Sequence, residues 1–427
     1  MRKFLIALTF IGWVNGVTAQ TNVLTLSDAQ RIALAHNWDL LAAKSSVDAA
    51  TAQLLIAKEF PNPNLSAATA KIGNYENDTS AGNGIWARSY DTIFAVNQLF
   101  EIGGKRRDRQ AAARANVLGA QARFWDAKRQ LDDGVTKTYV AALLANENAR
   151  LLRESAGYMQ HEQEIAEARF HAGDLADADL KQIQVAAGQY ILQANAAEAA
   201  AVQARIALEV LLGNRAPHGD WQAGDSLEQI SGEISPLPEI KTNARRPDVL
   251  AAETDLRAAE GNLKLQKAGR IPDPTIALQY EHNPPGGGPA ADTVGLGVSF
   301  PLPIWNQNKG NIDAAKASVA QARMALEKLR AQAAADLAVA EISFREASAR
   351  LQRYRAEIRP RANSARESVI FKFNKGGAAL VDLLAAERTD NDVRIATAQA
   401  MADTISAAAD LASAKTALTA AQVAAEK

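Results

Sequence analysis

The chain has 427 residues and a formal net charge of −1, with basic and acidic residues interspersed along its length. This balance excludes the basic surface of a nucleic-acid-binding protein, so no nucleic-acid partner is expected. The sequence contains no cysteine, which argues against a disulfide framework, a cysteine-type zinc site and a lipid-bearing cysteine. Alanine is abundant and aromatic residues make up only 6% of the chain, a composition typical of long helices and coiled coils.

The N-terminal segment has the pattern of a secretory signal peptide. A positively charged start at residues 1–3 is followed by the apolar run 4–14, and Val17 and Ala19 form a small-residue cleavage signal. We predict a signal peptide over residues 1–19 and an exported mature protein. No later stretch has the roughly 18 to 20 uninterrupted apolar residues of a membrane helix.

Two long segments are predicted to be helical, from Lys105 to about Arg169 and from about Asn311 to Lys372. Both consist of good helix formers, interrupted only by Gly119, Gly134, Gly157 and Pro360. The second carries an apolar seam with a period of seven, formed by Leu337, Phe344, Leu351 and Ile358, with Ala333, Ala340, Ala347 and Tyr354 between them. This spacing indicates coiled-coil packing, although an amphipathic helix in a large soluble bundle would show a similar pattern.

Two segments, at about 62–100 and about 273–304, break the helical pattern and are predicted to be β-hairpins. The returning strand of the second hairpin places an apolar residue at every second position, namely Val294, Leu296, Val298 and Phe300. Such alternation is typical of membrane β-barrels, but a soluble hairpin with one buried face would also alternate, and the first hairpin alternates poorly. Four strands are too few to enclose a wide pore, so several chains would have to share one barrel.

A short motif occurs twice, as "RFHAGDLADADL" at 169–180 and "KFNKGGAALVDL" at 372–383. One constant offset superimposes four identities, in which Phe170, Gly173, Asp179 and Leu180 match Phe373, Gly376, Asp382 and Leu383. "NWDLLAA" and "RPDVLAA" also pair, as do the two hairpin starts, so the duplication covers most of the mature chain.

The duplication predicts two structural repeats, at residues 20–213 and 244–427, joined by an irregular connector over 214–243. Each repeat is expected to contain a helix, a hairpin and long helices that meet at a tip turn. The tip turns are expected at about 170–180 and about 373–383. A glycine there can accept the left-handed backbone that ends a helix.

These features resemble the TolC-like outer-membrane efflux proteins. The opening "LTLSDAQRIALAHNWDL" is similar to the start of that family, although a proline usually stands at the position of Trp38. The hairpin starts at 61–63 and 272–274 and the two "F-x-x-G" turns also match. The resemblance implies a mainly α fold with a small β part, in which four transmembrane strands per protomer form a trimeric 12-stranded barrel. Long antiparallel coiled-coil helices would continue this barrel as a periplasmic tunnel.

The resemblance also implies a function, as the exit duct of a tripartite efflux system in the outer membrane of a Gram-negative bacterium. Expected partners are two further copies of the chain, outer-membrane lipid, a periplasmic adaptor (membrane fusion protein) and an inner-membrane transporter of the RND type. The sequence is most similar to the heavy-metal (Czc-type) cation efflux subgroup. Drug efflux and type I protein secretion remain alternatives, and so does a soluble periplasmic coiled-coil adaptor or scaffold.

The repeated turns supply the candidate site residues implied by the resemblance. Adaptor-docking tips are assigned to six residues: Phe170, Gly173, Leu180, Phe373, Gly376 and Leu383. Asp179 and Asp382 match positions that line the periplasmic entrance, although an aspartate that starts a helix is also favoured by the helix dipole alone. Phe373 and Ala378 replace the tyrosine and arginine that latch the entrance in some members, and Ala385 replaces a second acidic residue, which puts the latch in doubt.

No catalytic site is predicted. The histidines His36, His161, His171, His218 and His282 are scattered, and "HEQEI" at His161 lacks the second histidine of a metalloprotease helix. We therefore expect a protein that is not an enzyme and has no cofactor and no metal site.

Overall fold

The computed structural model describes residues 22–72, 86, 89–234, 245–283 and 292–418. The predicted signal peptide, the glycine-rich loop at 284–290 and the second part of the connector lie outside these residues. Within them the chain is mainly helical with a small β part, as the sequence predicts.

The secondary-structure elements follow one another along the chain with short connections. In chain order they are β1 (Asn22–Leu24), α1 (Leu26–His36), α2 (Trp38–Lys58), β2 (Asn64–Ile72), β3 (Ser89–Leu99), α3 (Lys105–His171), α4 (Asp177–Leu211), β4 (Trp221–Ala223), α5 (Leu227–Glu233), α6 (Pro247–Ala268), β5 (Thr275–His282), β6 (Asp292–Ser299), α7 (Lys309–Arg353), a π-helical turn (Tyr354–Ile358), α8 (Arg359–Asn374) and α9 (Leu380–Lys415).

These elements divide into two compact units, and each unit takes segments from both halves of the sequence. The first unit consists of the described residues of Met1–Ala35, Gly134–Ser235 and Glu346–Ser406. The second consists of those of His36–Asp133, Pro236–Arg345 and Ala407–Lys427. The four long strands β2, β3, β5 and β6 belong to the second unit, and the two repeated turns belong to the first.

The second long helix is interrupted near Pro360, one of the residues that break the run of helix formers in the sequence. Pro360 lacks a backbone N–H and its ring crowds the preceding turn, so an undisturbed α-helix cannot pass through it. The chain accommodates this residue with the five-residue π-helical turn Tyr354–Ile358, directly before α8. The seam predicted from the seven-residue period is confirmed, because Ala340, Ala347 and Leu351 are buried and the other seam positions are half-buried.

The connector is more ordered than predicted between residues 221 and 233. β4 pairs in parallel with β1, and the Trp221 side chain stacks on the buried ring of Tyr139 at 5.8 Å. Ser226 and Gln229 then form a reciprocal capping box that starts α5. The Pro and Gly content that suggested an irregular segment did not reveal these tertiary contacts.

A candidate functional site: one sheet face and two helix turns

The four long strands form one antiparallel sheet in the order β2-β3-β5-β6. β2 pairs with β3 and β5 pairs with β6, as expected for two hairpins. β3 also pairs with β5 over Thr92–Leu99 and Thr275–His282, which joins a hairpin from each half of the sequence. Because all strand pairs keep register, side chains from the two hairpins line up in continuous rows across the sheet.

One row crosses all four strands and is entirely apolar. Leu65 pairs with Val96, Val96 with Leu278, and Leu278 with Leu296. All four side chains are exposed, and Leu296 is the most exposed at 75%. The next row on this face contains Ala67, Phe94, Tyr280 and Val294. An exposed apolar face of this extent marks a contact surface, so the soluble hairpin with a buried apolar face is not what the structure contains.

The opposite face of the sheet is mostly small and polar, with Ile93 and Leu99 of β3 as apolar exceptions. Ser66, Ala95, Gln279 and Gly295 form one row across it, and a Cβ added at Gly295 would lie 2.9 Å from the Gln279 amide nitrogen. Apolar residues on one face and small or polar residues on the other are the pattern of strands whose outer face meets lipid and whose inner face meets water.

Aromatic residues border the apolar face at the loop end of the sheet. Trp86 stacks on His282 with ring centres 4.1 Å apart, and Tyr280 donates a hydrogen bond of 2.9 Å to Asp292. Rings with one apolar and one polar end are enriched at membrane–water boundaries. This cluster therefore has the composition of an interfacial border.

The two repeated turns have the same backbone structure. Gly173 has a φ of +83° and Gly376 a φ of +76°, the left-handed conformation predicted for both. In each turn the glycine N–H donates to the phenylalanine carbonyl three residues earlier, with distances of 3.0 Å at both sites. A Cβ added at either glycine would meet no atom within 4 Å, so backbone conformation alone favours glycine here.

The structure brings the two turns together at one end of the first unit. Leu180 is buried in a small cluster against which Phe170 and Leu380 pack, and Leu383 is also buried. The guanidinium of Arg169, from the first turn, lies 5.8 Å from the ring centre of Phe373 in the second. The leucines of the repeated motif thus anchor the turns, while both glycines lie at the surface.

The two predicted entrance aspartates occupy equivalent places, each at the third residue of a helix. Asp382 is exposed, and one of its carboxylate oxygens accepts a hydrogen bond of 3.1 Å from the Ala379 N–H, just before α9. Asp179 is half-buried at the start of α4. Asp382 therefore caps its own helix, which is a local structural role.

A polar network behind the turns was not found from the sequence. Arg366 on α8 contacts Glu387 on α9 at 2.8 Å, and its guanidinium lies 5.1 Å from the ring centre of Tyr158 on α3. Burial raises the pKa of Glu387, and the nearby guanidinium of Arg366 opposes this rise. A second contact joins α9 to α3, in which Arg394 bonds to Glu154 at 2.8 Å and holds the pKa of that carboxyl below its usual value.

The spacing of residues on α9 could have indicated this network. Glu387, Asp390 and Arg394 recur at intervals of three and four residues and therefore share one face of the helix. That face carries charge where a purely apolar seam would be expected. The network cross-links the helices on either side of the second turn.

Within the described ranges, no three histidine or acidic side chains are grouped closely enough to hold a metal ion. In the same ranges, no helix combines the length and the apolar character needed to cross a membrane.

Comparisons with known proteins agree with this architecture. The family model for outer membrane efflux proteins matches residues 30–214 and 241–416. The cobalt-zinc-cadmium resistance protein CzcC of Cupriavidus metallidurans is 26% identical over 376 residues, which cover 87% of this chain and 85% of that protein. A membrane protein from Pseudomonas aeruginosa has a similar fold, with a TM-score of 0.77, 20% identity and coverage of 92% and 91%.

The outer membrane protein VceC from Vibrio cholerae also shares the fold, with a TM-score of 0.73, 18% identity and coverage of 92% of this chain and 96% of that one. The family predicted from the sequence motifs is therefore confirmed. The chain belongs to the outer membrane efflux protein family and is an outer-membrane channel of an efflux system.

Proposed function

We propose that this outer-membrane channel is the exit duct for heavy-metal cations, which an inner-membrane transporter of the RND type expels through a periplasmic adaptor. The fully apolar row across the sheet carries the channel part of this proposal, since it supplies a lipid-facing wall. The metal part is supported by the name of the relative from Cupriavidus metallidurans, which refers to resistance to cobalt, zinc and cadmium.

The edges of the sheet support a homotrimer. β2 and β6 each have a strand neighbour on one side only among the described strands. An unpaired edge is not tolerated in the hydrocarbon region, because each unsatisfied backbone group there costs several kcal/mol. Three copies of a four-stranded sheet give 3 × 4 = 12 strands and can close a barrel in which β6 of one copy pairs with β2 of the next.

The repeated turns are proposed to be the adaptor-docking tips at the periplasmic end. Their backbones match, both glycines are exposed, and both turns lie at the same end of the first unit. In a trimer, two turns per chain would give six similar tips around one opening. Asp179 and Asp382 follow these turns and are proposed to line the entrance, where a ring of carboxylates would favour the passage of cations.

Growth of a deletion strain tests the substrate. Loss of the gene should cause sensitivity to cobalt, zinc and cadmium, with unchanged tolerance of hydrophobic drugs, and expression of the intact chain should restore growth. Sensitivity to drugs alone, or a loss of protein secretion with normal metal tolerance, would contradict the metal proposal and leave the channel assignment intact. Cross-linking in mild detergent should give a trimer, and a soluble periplasmic monomer would contradict the barrel.

A further inference from the structure

The apolar face of the sheet continues beyond the last paired residue of β6. Pairing ends at Ser299, but Phe300, Leu302 and Ile304 extend the alternate apolar series and are all exposed. Pro301 and Pro303 keep the residues before them in an extended conformation, which maintains the alternation as far as Leu302. Trp305 directly follows this series, and its exposure of 93% exceeds that of the other exposed apolar side chains.

The length of this series accounts for most of the apolar band of an outer-membrane barrel. From Val294 to Leu302 the chain spans roughly 26 Å at 3.3 Å per residue. A strand tilt of about 40° reduces this span to ~20 Å along the membrane normal, and a barrel's apolar band is about 25 Å tall. Trp305 follows after a tight turn closed by a 2.8 Å hydrogen bond between the Ile304 N–H and the Leu302 carbonyl. It therefore lies at the border of the band opposite the Trp86–His282 cluster.

Polar and basic residues begin directly after Trp305. The sequence continues Asn-Gln-Asn-Lys, and the Asn308 side chain donates a hydrogen bond of 2.7 Å to the Gln266 carbonyl near the end of α6. Lys309 directly follows Asn308, Lys267 directly follows Gln266 and Arg270 lies three residues further on, and all three basic side chains are exposed. An aromatic ring at the edge of an apolar band, followed by exposed positive charge, is the arrangement that membrane headgroups stabilise.

We propose, on the basis of the barrel proposed above, that residues 300–305 form an interfacial anchor in the periplasmic leaflet. Trp305 lies at the boundary between acyl chains and headgroups, and Lys267, Arg270 and Lys309 face the phospholipid phosphates. The anchor fixes the depth of the barrel at the point where the chain passes from β6 to α7. Its occupant is phospholipid, because the segment continues the lipid-facing side of the sheet.

Nitroxide labels at single cysteines can measure this depth. The chain has no cysteine of its own, so Trp305→Cys, Val298→Cys and Lys316→Cys each give one labelling site in the intact protein. Val298 lies near the middle of the apolar series, and Lys316 is 58% exposed on α7. In phospholipid vesicles the ratio of collision with oxygen to collision with a water-soluble nickel chelate should be highest at Val298, intermediate at Trp305 and lowest at Lys316.

The possible results separate the anchor from other arrangements. If the label at Trp305 meets nickel as readily as the label at Lys316, the segment lies in water and the anchor is wrong. If it is shielded from both reagents and its spectrum shows broadening from neighbouring labels, a second copy of the chain covers it, which also overturns the proposal. A water-exposed label at Val298 would instead refute the barrel itself.

Intrinsic fluorescence provides a test without a label. The emission of Trp305 is obtained as the difference between the intact protein and Trp305→Phe, which keeps an aromatic ring. Vesicles with bromine atoms near the headgroups should quench this difference more strongly than vesicles brominated near the bilayer centre. Equal absence of quenching by both lipids would contradict the anchor, whatever the effect of the substitution on stability.

Discussion

The Nε atom of Arg366 lies 2.8 Å from a carboxylate oxygen of Glu387, which ties α8 to α9 behind the second helix turn. The carboxylate side chain is only 12% exposed, and Asp390 on the same helix adds a second negative charge nearby. Burial and Asp390 both favour the neutral acid, while Arg366 favours the charged form. The net result is a pKa of Glu387 above its ordinary value.

This shift predicts how stability depends on pH. A carboxyl whose pKa is higher in the folded state stabilises the fold below its unfolded pKa of 4.5, and the contribution is lost as the pH rises through the folded value. The unfolding temperature of the unaltered protein should therefore fall as the pH rises above about 4.5. Glu387→Gln should reduce this fall, because the amide does not titrate. Helical circular dichroism between pH 4 and pH 8 measures this slope. Glu357→Gln, at a more exposed ion pair, is the matched control and should retain the slope of the unaltered protein.

Alternation in the sequence predicted which strand faces are apolar, but it did not predict how the two hairpins pair with each other. Alternation places Leu296 and Val298 on one face, and the structure leaves both exposed on that face. The first hairpin alternated poorly because β3 carries Ile93 and Ala95 on the other face as well, next to small or polar neighbours. Pairing between β3 and β5 could not be predicted, since residues about 180 positions apart meet there through the fold.

The turns show the same division between local and long-range information. Glycine at 173 and 376 predicted the left-handed backbone, because that preference is local. The contact between Arg169 and Phe373 joins two different turns and has no local signature. Pro360 itself indicated an interruption of the long helix. The form of the interruption, a π-helical turn, depends on how the preceding residues relieve the clash between the proline ring and the turn before it.

Charge on one face of the sheet should prevent insertion, whereas charge on the other face should be tolerated. Leu278 and Gln279 are neighbours on β5 that point to opposite faces. Leu278→Arg places a guanidinium in the apolar row and should destabilise the inserted barrel by roughly 2–4 kcal/mol. Gln279→Arg is the matched control and should still insert, with altered conductance. Fractionation and heat stability of the trimer measure the difference, and equal behaviour of the two variants would contradict the assignment of the faces.

The exposed tip glycines can be tested without creating a steric clash. Valine at Gly173 or Gly376 would project into open space, so its cost is the strain of a positive φ, about 1–2 kcal/mol. Gly173→Val and Gly376→Val should therefore distort the turns and reduce export while trimers still insert. Gly188→Val is the control, because Gly188 is also uncrowded but lies inside α4. Normal metal tolerance in both tip variants would remove the docking role from these turns.

Asp382 combines a capping role with a proposed role at the entrance, and the two can be separated. Its carboxylate accepts the Ala379 N–H, and asparagine retains an oxygen for this bond while removing the charge. Asp382→Asn should thus preserve the turn but weaken attraction for cations, and Asp179→Asn should add to the effect. The measurement is the reversal potential of the purified trimer in planar bilayers under a salt gradient.

Cation preference should fall stepwise from the intact protein to the single variant and then to the double variant, most clearly at low salt, where a longer Debye length leaves the charges less screened. The control is Asp177→Asn, which removes an exposed charge two residues before Asp179, at the start of α4. The Lys181 ammonium lies 2.6 Å from the Asp177 carboxylate. This substitution should change the preference less, because the charge it removes is already balanced by that lysine. Identical reversal potentials in all these proteins would mean that Asp179 and Asp382 only start their helices and do not line the conducting path.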